Sequence, residues 1–165
     1  MAAEVPLLRV RFRRLTADRH ALEFERADGS RDGAELETRS TLWHDFVHFA
    51  VESEAGLRDA FYGRVARGVP YASLGDVAEQ PDAAADRELW HVERVVGPLQ
   101  TAARKQVDPA AFVATLRGYL EATGETGPAW FDEALVARAL AKLRELDGRW
   151  RKTPFGEVLE LRFGG

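Results

Sequence analysis

A chain of 165 residues with 45% hydrophobic side chains is long enough to bury a hydrophobic core, so we expect one domain spanning residues 1–165. The 23 basic and 27 acidic side chains give a formal net charge of -4, which argues against nucleic acid or an anionic membrane as the main partner. Because the chain has no cysteine, disulfides, thiolate metal sites and a cysteine nucleophile are excluded. Any metal ion must be bound by nitrogen and oxygen. The segment Met1–Pro6 lacks a basic stretch followed by an apolar run, so we expect a cytoplasmic protein.

Four segments alternate apolar and polar residues, which is the pattern of half-buried strands. They are residues 7–14, 20–26, 34–39 and 159–163. The Asp-Gly pairs at 28–29 and 32–33 supply turns between the N-terminal segments. Three strands therefore precede the rest of the chain, and a fourth closes the sheet at the C-terminus.

The first strand carries a row of arginines, namely Arg9, Arg11, Arg13 and Arg14. Opposite charges across an antiparallel pair stabilise a sheet, and the second and fourth strands offer Glu23, Glu25 and Glu160. We therefore predict that these arginines are neutralised by neighbouring strands rather than free to bind phosphate. The resulting sheet order is 3-2-1-4, and it carries one expected disadvantage, because Glu35 and Glu37 would lie near the glutamates of strand two.

About five helices are predicted between the third and fourth strands. Ser40 or Thr41 is the expected N-cap of a helix over residues 42–55 that Gly56 ends, and a short helix follows over residues 57–66. The remaining helices are predicted over residues 86–105, 109–122 and from 128 to about 150. Pro98 should kink or split the first of these three, and Asp108 should cap the second. Residues 69–84 contain two prolines and predict a mobile connecting loop.

Strands followed by helices and a returning strand indicate an α+β fold, since βαβ alternation is absent. We expect an antiparallel sheet of about four strands packed against about five inserted helices. No heptad seam predicts an oligomer, although a homodimer through a sheet edge or an apolar helix is compatible with the sequence.

The helix over residues 42–55 carries the clearest chemical signal. Its polar side holds His44, Asp45, His48 and Glu52, while its apolar residues occupy the other arc. Histidines at i and i+4 can reach one metal ion from adjacent turns, and Zn²⁺ is the metal that such a pair suggests. Glu52 lies two turns from His44, about 12 Å by helical rise, so a third ligand must come from another element.

The five residues from His44 to His48 resemble the HExxH motif of zinc metallopeptidases. That resemblance implies zinc ligation by His44 and His48 and base catalysis by the residue between them. Here that residue is Asp45, one methylene shorter than the glutamate of the family. The longer stretch from His44 to Gly63 is similar to a pattern in proteins of high-GC bacteria, which implies no particular chemistry.

A third ligand is suggested by His91, which with Glu88 forms a Glu-x-x-His spacing similar to that of di-metal carboxylate bundles. Glu52 and Glu88 are further candidates for ligand binding. Two histidines on one helix can also be solvated or pair with neighbouring carboxylates without a metal.

Two functional hypotheses follow. The first is a binding or regulatory module without catalysis that binds a small molecule or a protein, and it is based on the absence of a complete catalytic set. The second is a metal-dependent hydrolase with His44, His48 and His91 or an acidic residue as ligands, and Asp45 as the base.

Overall fold

The computed structural model of the protein describes residues 4–165, apart from the side chain of Asp76. Met1 to Ala3, the start of the N-terminal segment considered above, lie outside the described residues. The strands are β1 (Leu8–Arg14), β2 (Arg19–Arg26), β3 (Arg31–Glu37) and β4 (Val158–Phe163). The helices are α1 (Thr38–Ala55), α2 (Phe61–Ala66), α3 (Tyr71–Glu79), α4 (Arg87–Ala102), α5 (Pro109–Ala122) and α6 (Glu133–Arg151). The predicted α+β class is confirmed, with six helices where about five were expected.

The four strands form one antiparallel sheet in the order β3-β2-β1-β4, as predicted. The glutamates of β3 do not directly oppose those of β2, which reduces the expected disadvantage of this strand order. The register places Glu35 opposite Ala21 and Glu37 opposite Arg19, so neither lies directly across from a glutamate.

The arginines of β1 are neutralised across the outer face of the sheet, which confirms the prediction for three of them. Arg11 lies 2.8 Å from Glu160 on β4 and 3.1 Å from Glu25 on β2. Arg13 lies 3.0 Å from Glu23, and Arg9 is paired more loosely with Glu25 at 3.5 Å. The central position of β1 provides acidic partners on both sides.

Helix α1 begins earlier than the sequence predicted. Glu37 is its N-cap, and the carboxylate accepts hydrogen bonds from the backbone N–H groups of Arg39 and Ser40 at 3.0 and 2.8 Å. Ser40 and Thr41 therefore lie inside the first turn rather than at the cap. The helix ends as predicted at Gly56, whose φ of 64° lies in the left-handed region that favours glycine.

Residues 71–79 form helix α3, where a loop was predicted over residues 69–84. Its first backbone N–H, that of Tyr71, donates to Asp32 Oδ2 on β3 at 2.6 Å. This cap comes from a residue far away in the sequence, so the local sequence contains no sign of it. The mobility expected for this segment stays a prediction.

The other helices differ from expectation mainly at their starts. Helix α4 is one continuous helix with Pro98 inside it, so Pro98 does not split it, and the alternative of a kink stays a prediction. Helices α2 and α6 begin at Phe61 and Glu133, several residues later than predicted. The predicted cap of α5 by Asp108 is confirmed by its bond to the N–H of Ala111.

Helix α1 lies at the centre of the fold, between the inner face of the sheet and helices α4 and α6. Phe12 of β1 and Phe46 of α1 meet edge to face at 5.0 Å between ring centroids, within one continuous cluster of buried apolar side chains. This position leaves α1 little contact with solvent. Within residues 4–165, no helix combines the length and the apolar character needed to cross a membrane.

Candidate metal centre

The polar side of α1, formed by His44, Asp45, His48 and Glu52, faces the protein interior. His48 is 4% exposed and Glu52 is fully buried. His44 and Asp45 are partly buried. Buried polar side chains must find partners or lose the free energy of hydration, so each contact of this strip is informative.

Both ring nitrogens of His48 face carboxylates. Nδ1 lies 2.9 Å from Glu52 Oε2, and Nε2 lies 2.8 Å from Glu93 Oε1 on α4. The contact with Glu93 is short, but its angles are not those of a hydrogen bond, and Glu93 Oε1 has no hydrogen-bond partner within the described residues. Glu52 is also held on its other oxygen, which accepts from the backbone N–H of Tyr62 at 2.9 Å.

The ring of His44 is held by a residue near the C-terminal end of α4. Its Nδ1 lies 2.6 Å from Gln100 Oε1, which leaves Nε2 free of that bond. The rings of His44 and His48 approach to 4.7 Å between centroids. The two histidines therefore point to the same place rather than into solvent.

His44, His48 and Glu93 each offer one ligand atom, and these atoms all lie within 4.8 Å of one another. Two of the residues come from α1 at the predicted i, i+4 spacing. The third comes from α4, as the argument for a ligand on another element requires. Helices α1 and α4 run antiparallel here, because His44 meets Gln100 while His48 meets Glu93.

The structure does not bring His91 to this cluster. Glu93 follows His91 by two residues, which is about 200° around a helix, so the two side chains leave α4 on different sides. His91 lines a separate surface hollow together with Glu88. The Glu88 carboxylate accepts from the backbone N–H of Asp59 and thereby holds the turn before α2.

Asp45 lies beside the cluster without a partner for one of its oxygens. Its Oδ2 is shielded from solvent and has no hydrogen bond within the described part of the chain. Asp45 lines a cavity of about 240 Å³ together with His44 and His48. The cavity therefore opens onto the same imidazoles that meet Glu93.

Burial and pairing shift the acid–base properties of the strip in different directions. Burial disfavours the charged ring of His48 and by itself would lower its pKa. The hydrogen bond to Glu52 and the nearby carboxylate of Glu93 outweigh this effect and raise the pKa of His48 to about 10. Burial and the charge of His48 lower the pKa of His44. Burial raises the pKa of Asp45 to about 7 and also raises that of Glu52. These two directions favour a proton on His48 over one on His44.

Two residues of the cluster, Glu93 and Gln100, were not predicted from the sequence. They stand at i and i+7 on α4, so they share one side of that helix and flank its buried residue Val96. A pair of polar residues at this spacing beside an apolar stripe is the only local signal. It does not reveal which helix they meet.

Comparison with known proteins gives no further guide to the chemistry. No protein family, no curated protein and no solved structure matches this chain.

Proposed function

We propose that this protein binds a divalent transition-metal ion, with zinc as the first candidate, through His44, His48 and Glu93, and uses it to hydrolyse a small substrate. The observation that carries the proposal is the convergence of these three ligand atoms within 4.8 Å. Two histidines and one glutamate, with a fourth position left open, form one of the ligand sets of catalytic zinc sites.

The separations are those of a site that needs only small adjustments. Two ligand atoms at 2.0–2.1 Å from a tetrahedral ion lie roughly 3.3 Å apart. The atoms Nε2 of His48 and Oε1 of Glu93 are slightly closer than that, at 2.8 Å, and the remaining pairs lie within 4.8 Å. To surround one ion, the closer pair must separate slightly and any wider pair must approach by at most roughly 1.5 Å.

The partners of the two imidazoles support the same proposal. Ligating histidines usually donate their second N–H to a carboxylate or carbonyl, which fixes the ring and the tautomer. Glu52 takes this position for His48, and Gln100 takes it for His44. Without a metal, the cluster would be a protonated His48 paired with the carboxylates of Glu52 and Glu93. That pairing gives no reason for the approach of His44 or for its fixed orientation.

Catalysis is supported by the position of Asp45. A bound divalent ion lowers the pKa of a coordinated water and polarises a carbonyl oxygen. Asp45 lines the cavity together with both histidines, and its Oδ2 has no hydrogen-bond partner within the described residues, so we propose that this carboxylate accepts a proton from water held there once its side chain turns toward the cavity. The second candidate function is a small-molecule binding module without catalysis. It is favoured by the side chain of Asp45, which is shorter than the glutamate of the similar motif.

The first experiment measures metal binding. Protein stripped with a chelator is titrated with Zn²⁺ against a chromophoric competitor, and we expect one ion per chain. His44→Ala, His48→Ala and Glu93→Gln should each weaken binding at least 100-fold, while His91→Ala serves as the matched control and should bind as the native chain does. No stoichiometric binding, or an equal loss in His91→Ala, would contradict the proposed site.

The same preparations separate hydrolysis from binding alone. With 4-nitrophenyl acetate as the probe, Asp45→Asn should keep the metal and lose at least 100-fold in kcat/KM, in the range expected for loss of a general base. A metal-loaded native protein without turnover on this ester or on small amides would favour the binding module.

A further inference from the structure

The cavity beside the candidate metal centre is lined by two kinds of side chain. The polar part is formed by His44, Asp45 and His48. The rest of the wall consists of Phe61, Tyr71, Ala72, Gly75 and Ala78. A ligand that reaches the metal position therefore also contacts aromatic and small apolar groups.

Helix α3 supplies most of this apolar wall. Tyr71, Ala72, Gly75 and Ala78 follow the spacing of one helix face. The small residues leave the space that the cavity occupies. The rings of Phe61 and Tyr71 meet edge to face at 5.9 Å between centroids and form the aromatic side.

The charges around the cavity disfavour an anionic ligand. No lysine or arginine lines it among the described residues, and the sequence of α3 contains none. Glu52, Glu93 and Asp45 already place three carboxyl groups around the metal position. A negative charge on the non-reacting part of the substrate would enter a poorly hydrated space that offers no lysine or arginine among the described lining residues.

We propose that the site takes compact substrates whose non-reacting part is uncharged and apolar, such as small neutral esters or amides, and that α3 selects them. This inference rests on the proposed metal site. At about 240 Å³ the cavity is smaller than the pockets of roughly 300–1,000 Å³ that bind drug-sized molecules, which favours a substrate with one short side group.

The test uses the protein loaded with Co²⁺, whose visible spectrum reports ligands that join the metal. 4-Nitrobenzohydroxamate and 4-carboxybenzohydroxamate have ring substituents of nearly the same size and shape, and only the carboxylate is charged. We expect the nitro compound to change the spectrum with at least tenfold tighter affinity than the carboxylate. Equal or tighter binding of the 4-carboxylate overturns the inference.

A matched pair of variants tests the role of α3. At Gly75 and at Gly118 of α5 an added Cβ meets nothing within 4 Å, and both glycines lie inside exposed helical turns. Gly75→Leu should weaken binding of the nitro compound at least tenfold with unchanged Co²⁺ affinity, whereas Gly118→Leu should change neither. Unaltered hydroxamate binding in Gly75→Leu overturns the inference while leaving the metal site intact. Failure of the native chain to give a Co²⁺ spectrum overturns both proposals.

Discussion

Glu52 illustrates how one buried side chain links two helices and orients the candidate centre. It was a candidate for ligand binding, but its carboxylate is fully buried and is occupied by His48 Nδ1 and the N–H of Tyr62. The N–H of Tyr62 belongs to the first turn of α2, whose N-cap residue Ala60 makes no side-chain bond. Glu52 therefore replaces the missing cap and fixes the ring of His48.

Glu52→Gln should weaken Zn²⁺ binding by about 10–100-fold, the usual effect of losing the outer partner of a ligating histidine. In this variant the amide oxygen can keep the bond from the N–H of Tyr62, which turns the amide N–H groups toward His48 Nδ1. An N–H donor at Nδ1 favours the tautomer whose proton is on Nε2, and a protonated Nε2 cannot bind the metal. Competition titration measures the loss.

Glu54→Gln is the control for this prediction. Glu54 lies on the same helix and pairs with Arg138 near the surface, at 3.2 Å. Its replacement should leave Zn²⁺ affinity unchanged. Indistinguishable affinities of the two variants would show that Glu52 does not position His48.

At the scale of elements, two helices depend on caps from distant strands or helices. The N–H of Tyr71 at the start of α3 is bound by Asp32 on β3, and that of Tyr62 in α2 is bound by Glu52 on α1. Arg26 of β2 adds bonds to the carbonyl of Val65 in the last turn of α2 and to that of Val69 in the link to α3, at 2.6 and 3.1 Å. Short helices are marginal alone, so these tertiary bonds explain why residues 71–79 are helical against the local prediction.

Helix α4 contains Pro98 between the two residues that meet the histidines, Glu93 and Gln100. A proline removes one backbone donor and crowds the preceding turn, and here it is exposed. Pro98→Ala should therefore raise the free energy of unfolding by about 1–2 kcal/mol, the gain being reduced by the greater freedom of the unfolded chain. Urea denaturation measures it.

Gly97→Ala, at the adjacent exposed position, provides the comparison and should add about 0.5–1 kcal/mol through helix propensity alone. Metal affinity should stay unchanged in this control. A loss of stability or of Zn²⁺ affinity in Pro98→Ala would instead mean that the proline shapes α4 for the site.

At the scale of the whole molecule, His20 lies where the sheet meets the helices. It is fully buried, its Nδ1 lies 3.0 Å from Thr38 Oγ1, and its ring approaches Phe12 and Trp150. Its Nε2 has no hydrogen-bond partner among residues 4–165. Burial lowers the pKa of His20 to about 4.

This lowered pKa predicts a loss of stability in acid. Below about pH 6.5 the unfolded chain takes up a proton on His20, whereas the folded protein resists it down to about pH 4. The His20 contribution to stability is therefore present at neutral pH and falls by on the order of 2–3 kcal/mol as the pH drops through this window.

Denaturation of the native chain and of His20→Gln at a series of pH values tests the sign. The native chain should be the more stable at pH 7, and the difference should shrink as the pH falls from 6.5 to 4. A difference that is constant across this range would contradict the lowered pKa.

The sequence by itself determined the features that arise from local backbone geometry. Alternation along the strands predicted the sheet, and the charges of β1 with those of its neighbours predicted the strand order. Asp108 and Gly56 were correctly predicted as helix ends, because capping bonds and left-handed turns involve residues a few positions apart. The i, i+4 spacing likewise brought His44 and His48 together before any fold was known.

Only the tertiary structure decided which residues complete the candidate site. The sequence pointed to His91 because its spacing from Glu88 is similar to that of di-metal carboxylate bundles, but the side of α4 that meets α1 is the one that carries Glu93 and Gln100. Helix-to-helix register results from the packing of entire faces around the core, and no spacing within α4 alone encodes it. For the same reason the caps of α2 and α3 could not be predicted, since Glu52 and Asp32 reach them through space.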